Sequence, residues 1–310
     1  MYKVFVDGKE GTTGLRIFDR LSDRTDIELI TIDSALRKNT DERARLINAA
    51  DVVFLCLPDD AARESVSFVR GDDVKIIDTS TAHRTNSGWS YGFPELSLNH
   101  RQGIAGGKRT AVPGCHACGF ISLVYPLVKS GVLPADYPFT CFSATGYSGG
   151  GRKMINEYES EKDSSLSSPG LYATAQKHKH LKEMKAVTGI ENYPIFCPVV
   201  SNYYSGMTVT VPVFVSMLKR GAGPETIAEI YGEHYADSKL IASKGYTEEN
   251  VTEYANRLSG KDTMEISVYG NKERILLVSS FDNLGKGASG AAVQCMNLML
   301  GFDETEGLSL

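Results

Sequence analysis

Cys115 is the residue in this chain best placed to act as a nucleophile. It follows the chain reversal set by Pro113 and Gly114, and an apolar series at helical spacing comes after it. Ala117, Phe120, Ile121, Val124, Leu127 and Val128 make up that series, and Gly131 supplies a stop. A thiol at a helix start faces backbone N–H groups without partners and the positive end of the helix dipole. Both favour thiolate over thiol. The alternative is a structural cysteine packed behind a turn. Cys118 completes a Cys-x-x-Cys spacing, which also reads as a redox or zinc pair. No second such pair and no cysteine–histidine cluster of zinc spacing accompanies it, so no metal is expected.

A second group of residues has the makings of a phosphate site. The apolar run Val4-Phe5-Val6-Asp7 enters a turn containing Gly8, Gly11 and Gly14, and Leu15, Phe18 and Leu21 then open a helix. Glycines let the backbone approach a pyrophosphate, and the helix start supplies N–H donors. The spacing is G-x-x-G-x-x-G in place of the commoner G-x-G-x-x-G, and Thr12 and Thr13 add hydroxyls. A strand over residues 27–32 ends at Asp33. An acid there ordinarily holds the adenosine ribose and points to NAD. Ser34, Arg37 and Lys38 follow at once, and a hydroxyl with two cations suits a ribose 2′-phosphate. The expected cofactor is therefore NADP(H), with Asp33 arguing the other way and a solvated loop as the alternative for the two cations.

These residues need a scaffold, and the first half supplies one. Leu46, Ile47 and Ala50 suggest a helix, residues 51–57 (DVVFLCL) a buried parallel strand, 61–69 a helix and 75–78 a strand. Repeated β-α units predict a doubly wound sheet with ligands at the carboxyl ends of its strands, where Pro58, Ser80 and Arg84 fall. From residue 139 the pattern changes. Strands at 140–144, 208–215, 264–270 and 275–279 have fewer helices between them, which predicts an antiparallel or mixed sheet covered on one face. Residues 160–170 (SEKDSSLSSPG) read as a polar surface loop, and 224–231 and 288–300 as helices.

A chain of 310 residues with 23% charged and 42% hydrophobic content is an ordinary globular composition. The net charge of −5 gives no basic stripe, so nucleic acid and anionic membrane are not expected partners. No apolar run reaches the length of a membrane span, and the first residues read as a strand, so no signal peptide is expected. Six scattered cysteines are cytosolic usage, and the expected location is cytoplasmic.

Several runs in order resemble one family. They are 8–14 (GKEGTTG), 57–63 (LPDDAAR), 91–96 (YGFPEL), 112–120 around Cys115, 147–152 (YSGGGR) and 283–297 (NLGKGASGAAVQCMN). Together they resemble the N-acetyl-γ-glutamyl-phosphate reductases of arginine biosynthesis, in their shorter type 2 form. The resemblance implies a Rossmann-type α/β domain, residues 1–114 and 284–310, and an α+β catalytic and oligomerisation domain of the semialdehyde-dehydrogenase kind, residues 115–283. It implies a homo-oligomer, commonly a tetramer. The reaction it implies takes N-acetyl-glutamyl 5-phosphate and NADPH to the 5-semialdehyde, NADP and phosphate through a cysteine thioester.

Residue by residue, Cys115 matches the family nucleophile and His178-Lys179-His180 resembles its acid/base run, with His180 preferred and His178 as alternative. Arg84 is similar to an arginine that grips substrate phosphate or carboxylate. Glu95, Ser148 and Gly149 look like active-site wall, and Arg152 is either that or a structural ion pair. Asn283, Lys286 and Gly287 match a segment near the nicotinamide. Cys118 departs from the usual Thr. The related aspartate-semialdehyde and N-acetyl-aminoadipate-semialdehyde dehydrogenases share this chemistry, and a non-catalytic NADP-binding redox sensor is the reading from outside enzymes.

Overall fold

In the first part of the chain, short and largely buried strands alternate with helices. They are β1 (Tyr2–Asp7), α1 (Thr12–Ser22), β2 (Ile27–Ile30), α2 (Thr40–Ala49), β3 (Val52–Leu55), α3 (Asp59–Ser67), β4 (Lys75–Asp78), β5 (Ser90–Tyr91), α4 (Leu98–Gly106) and β6 (Arg109–Ala111). The computed structural model describes residues 1–160 and 163–310 and divides into two units. One comprises Met1–Pro113 with Ala288–Leu308, the other Gly114–Gly287 with Ser309–Leu310. Ser309 goes with the second unit because Asp262 holds it through both backbone and carboxylate, at 2.7 and 2.8 Å.

The first unit has one sheet in the order β2-β1-β3-β4-β6-β5, parallel throughout. Successive side chains of its central strands enter opposite cores. Val4, Val6, Val52, Phe54 and Ile77 pack with Ile17 and Leu21 on one side; Phe5, Val53, Leu55 and Ile76 pack with Leu46 and Ile47 on the other. Helices on both faces account for strands without polar alternation. This is the doubly wound architecture expected from the sequence. β2 is two residues shorter than predicted, because Asp33 turns the chain: its carbonyl accepts the Leu36 N–H and its carboxylate the Ala35 N–H at 2.8 Å. The order reverses between β1 and β3, which places the ends of those strands at the crevice where such sheets bind ligands.

The second unit contains α5 (Cys115–Lys129), β7 (Thr140–Gly146), α6 (Gly151–Ser160), β8 (Gly170–Leu171), α7 (His180–Thr188), β9 (Ile195–Ser201), β10 (Met207–Phe214), α8 (Pro224–His234), β11 (Ile241–Thr247), β12 (Met264–Gly270) and β13 (Arg274–Phe281). Its seven strands run β11-β12-β13-β10-β7-β9-β8 in a mixed sheet, parallel only at β11/β12 and β7/β9. Strand periodicity sorts the two faces. Met207, Val209, Val211 and Val213 of β10 are buried, whereas Phe214, Phe142 and Leu276 are exposed on this sheet. Within the polar loop expected at 160–170, Glu161 and Lys162 lie outside the described residues, and from Asp163 the chain makes a short turn at Ser164–Ser167.

α5 is buried along most of its length although Pro126 interrupts its hydrogen bonds. A proline has no N–H to give the carbonyl four residues back. That carbonyl, on Ser122, is satisfied by the Tyr235 hydroxyl at 2.7 Å, and Tyr231 does the same for Leu123 at 2.6 Å. The helix therefore stays intact up to Lys129. Residues Gly285–Ser289 form a π-helical turn that leads into α9 (Gly290–Leu300). Residues 290–297 of α9 are all buried. Its polar side chains are tied inside the first unit, Gln294 to Glu95 and Glu304, and Asn297 to Arg24 and the Glu304 and Glu306 carbonyls.

Candidate active site

Cys115 is the first residue of α5, half-buried, with Gly114 as an extended N-cap that offers no side chain. The first helical bond runs from Cys118 N–H to the Gly114 carbonyl at 2.7 Å, so the N–H groups of residues 115–117 precede the ladder. Gly287 lies against the cysteine, where an added Cβ would meet Cys115 Cβ at 3.0 Å. The Gly114 N–H donates to Glu183 Oε2 at 3.1 Å. Glu183 sits on α7 three residues after His180, and its other oxygen is 4.0 Å from His180 Nε2, an ion-pair distance too long for a hydrogen bond. One buried carboxylate thus touches the nucleophile's turn and stands beside the first residue of α7.

Around these groups lies a cluster of rings. His178 and His180 meet edge to face with centroids 4.6 Å apart, and His116 is 5.6 Å from each. His178 is half-buried and accepts the His180 N–H at 3.2 Å, while His180 is buried. His116 is buried between Ser143 Oγ at 2.7 Å and the Tyr172 hydroxyl at 2.6 Å. Burial, and then the neighbouring His178, push its pKa down to about 3, so it is neutral at physiological pH. Burial, with a contribution from Cys115, holds the Tyr172 phenol well above the usual tyrosine range.

Sequence reasoning missed Glu183, His116, Ser143 and Tyr172. Glu183 had a legible signal, an acid one helical turn after a histidine. The other three had none, because their contacts span 27 and 56 residues.

The remaining expected residues of this unit divide into two kinds. Ser148 and Asn283 are buried and satisfy each other at 3.1 Å, and Asn283 also accepts the Gly206 N–H at 2.9 Å. Both act as braces. Gly149 is exposed and stands next to this pair, and Arg152 is exposed on the first turn of α6. Lys286 is fully buried, and its carbonyl accepts from Cys118 Sγ at 3.7 Å.

In the first unit, Gly8 has a φ of +90° and lies so close to β3 that a Cβ would overlap the Cys56 carbonyl. A Cβ on Gly14 would overlap the Gly8 carbonyl in turn. Only glycine fits this path. α1 starts after Gly11 with no side-chain cap, so its first-turn N–H groups are available to an anion. Thr12 Oγ1 is buried with no partner among the described residues, and Thr13 is half-buried beside it. A backbone cradle with an orphaned hydroxyl fits a pyrophosphate. Ser34, Arg37 and Lys38 are exposed on the turn after β2, where the Asp33 carboxylate is engaged by its own loop.

At the other strand ends, Pro58 is the exposed N-cap of α3. Ser80 is buried and bonded through N–H and Oγ to Asp78, at 2.9 and 2.8 Å. Asp78 also holds His83 at 2.7 Å, and the His83 ring stacks on Trp89 at 4.1 Å. This network shapes the loop that carries Arg84, whose guanidinium donates to the Val112 and Thr79 carbonyls at 2.8 and 3.1 Å. Glu95 accepts from Gln294 at 2.8 Å.

Comparison with known proteins bears directly on this arrangement. Residues 3–104 match the semialdehyde dehydrogenase NAD binding domain, and residues 115–283 the semialdehyde dehydrogenase dimerisation domain. An N-acetyl-gamma-glutamyl-phosphate reductase 2 from Nostoc sp. is 42% identical, over 99% of each chain. The N-acetyl-gamma-glutamyl-phosphate reductase of Brucella ovis is 44% identical over 96% of this chain and 99% of its own. The chain belongs to the N-acetyl-γ-glutamyl-phosphate reductase family. A probable aspartate-semialdehyde dehydrogenase from Pseudomonas aeruginosa shares the fold of this reductase-family chain, with a TM-score of 0.73 at 14% identity over 96% and 98% of the two chains. Like other members it carries a nicotinamide-binding domain. Among the described residues, no helix is long and apolar enough to cross a membrane.

Proposed function

We propose that this protein is the NADP-dependent reductase of N-acetyl-glutamyl 5-phosphate, forming N-acetyl-glutamate 5-semialdehyde and phosphate in arginine biosynthesis. The observation that carries the proposal is the start of α5: Cys115 follows a turn bound by Glu183, and Glu183 stands beside His180. The Cys115 thiolate, favoured by the helix dipole, attacks the acyl carbon, and the carbon–oxygen bond to phosphate breaks to leave a thioester. Backbone N–H groups at the helix start stabilise the oxyanion that forms in that step. NADPH, which the glycine turn after β1 would hold, would supply a hydride to the thioester carbonyl. His180, with His178 as the alternative, gives a proton to the resulting oxygen and takes it back as the Cys115 sulfur leaves. Glu183 stands beside that imidazole and fixes the turn that carries the sulfur.

For the cofactor, the proposal assigns pyrophosphate to Gly8, Gly11, Thr12, Thr13 and Gly14. Ser34, Arg37 and Lys38 would take the 2′-phosphate, since Asp33 already serves its own turn. The proposal also assigns Pro58 and Ser80 to the cofactor, and Lys286 and Gly287 to its nicotinamide end, Gly287 lying against Cys115. Arg84, fixed by two carbonyls, is the cation for a substrate anion. The exposed apolar residues Phe142, Phe214 and Leu276 suit an interface between copies, in keeping with the matched dimerisation domain, and a tetramer is the proposed assembly in the cytoplasm. Light scattering would measure it.

Phosphate-dependent oxidation of three semialdehydes, N-acetyl-glutamate, aspartate and N-acetyl-aminoadipate, tests the substrate. The proposal predicts the highest kcat/KM for the first with NADP, and a preference for either of the others would overturn it.

A further inference from the structure

We propose that Cys115 and Cys118 form a second reactive unit, in which Cys115 reduces a hydroperoxide and Cys118 resolves the product as a disulfide within the first turn of α5. This rests on the reading of Cys115 as an ionised nucleophile but on nothing about its carboxylic substrate. The two residues share one face of the helix. Gly287 lies against Cys115, and the carbonyl of the preceding Lys286 accepts from Cys118 Sγ, so a single dipeptide runs along both. Helix geometry puts their Cα atoms about 5 Å apart, within the range that disulfides span. Their Cβ atoms, about 5–6 Å apart at this spacing, must close by roughly 1–2 Å. The first turn allows this most readily, because Cys115 itself donates no bond to the helix ladder.

Exposure sets the order of events. Cys115 is half-buried and Cys118 buried, so a small oxidant meets Cys115 first. Its thiolate attacks one peroxide oxygen, the O–O bond breaks, and the other oxygen leaves as hydroxide or alkoxide and takes up a proton. Cys115 is now a sulfenic acid. The Cys118 sulfur, losing its thiol proton, attacks the Cys115 sulfur; the S–O bond breaks and water leaves. The two sulfurs have lost two electrons and the peroxide has gained them. An external dithiol returns the pair to thiols. Cys56, by contrast, has its thiol pushed up to about 12 by burial and is not a competitor.

The test uses the whole reduced protein without substrate, treated with a small excess of hydrogen peroxide, alkylated and digested with trypsin. Cleavage after Arg109 and Lys129 releases residues 110–129, which contain Cys115, Cys118 and no other cysteine. This peptide is expected to lose two hydrogens and resist alkylation, and dithiothreitol restores both the thiols and the reductase activity. Cys118→Ser, which keeps the untreated turnover, is expected to collect two or three oxygens on Cys115 and to stay inactive after dithiothreitol. A wild-type peptide that is oxygenated like the variant, or alkylated at both cysteines, overturns the proposal. The mass readout does not depend on turnover, so disulfide formation in a protein without reductase activity would count against the assigned reaction alone.

Discussion

Glu183 holds Gly114: its Oε2 accepts the Gly114 N–H at 3.1 Å across 69 residues of sequence, and its Oε1 stands 4.0 Å from His180. The carboxylate is buried, so both relationships act with little screening from water. Glu183→Ala leaves the Gly114 N–H unsatisfied and removes the charge beside His180. It is expected to cost about 1–3 kcal/mol of stability and roughly 10- to 100-fold in kcat. Glu183→Gln retains an acceptor for Gly114 and is expected to recover most of the stability while kcat stays low. Urea unfolding and steady-state kinetics on both variants check this; full kcat in Glu183→Ala would contradict it.

His116 sets a pH dependence of stability. Its folded pKa, about 3, lies below the usual 6.5, so the unfolded chain takes up the proton more readily. The stability contributed by neutral His116 is complete above 6.5 and is lost as pH falls towards 3. Between pH 6.5 and 4 the loss is about 3 kcal/mol at 1.4 per unit. The stability advantage of wild type over His116→Asn is expected to shrink by that amount over this range, read from urea midpoints. A constant difference would mean that His116 is not held neutral.

Arg43 tests the support beneath the glycine turn. It is buried, and donates to Asp7 Oδ2 at 3.1 Å, to Glu64 at 2.9 Å and to Ser65. Asp7 precedes Gly8 directly, so an uncompensated carboxylate there disturbs the cradle. Arg43→Ala is expected to cost roughly 3–5 kcal/mol and to weaken nucleotide binding. Glu64→Gln, at the half-exposed end of the network, is expected to cost no more than about 1 kcal/mol. Thermal unfolding of both variants checks the contrast; equal losses would contradict it.

These networks also show where sequence reading reached and where it stopped. α5, β4, β12 and the glycine turn of β1 were legible because apolar spacing and Gly or Pro punctuation are local signals. β9, β11 and α7 were not, since β9 holds Pro198 and β11 holds Lys244 and Gly245 inside the strand, and α7 carries few apolar residues. In the site, the Cys115 turn could be seen because position in a helix is local. The jobs of Ser148, Asn283 and Ser80 as braces could not, because each depends on a partner chosen by the fold. Asp33 is the instructive case: its residue type suggested a ribose ligand, and the structure adds a local role, one carboxylate oxygen accepting the Ala35 N–H.

Coenzyme choice follows from that turn. Replacing both Arg37 and Lys38 with Ala is expected to raise the Kd for NADPH about tenfold or more while leaving NADH within about twofold, an effect that weakens at high salt. Fluorescence titration with each coenzyme measures it. An equal loss for both would place the 2′-phosphate elsewhere.

The central claim, a thioester on Cys115, is tested most directly in the oxidative direction. Enzyme mixed with N-acetyl-glutamate 5-semialdehyde and NADP in phosphate-free buffer should release a burst of one NADPH per subunit and then stall. The peptide of residues 110–129 should carry one N-acetyl-glutamyl group, released on adding phosphate, and neither burst nor adduct should form in Cys115→Ser. Phosphate-dependent turnover with no burst, or an acyl group on any other residue, would contradict the account.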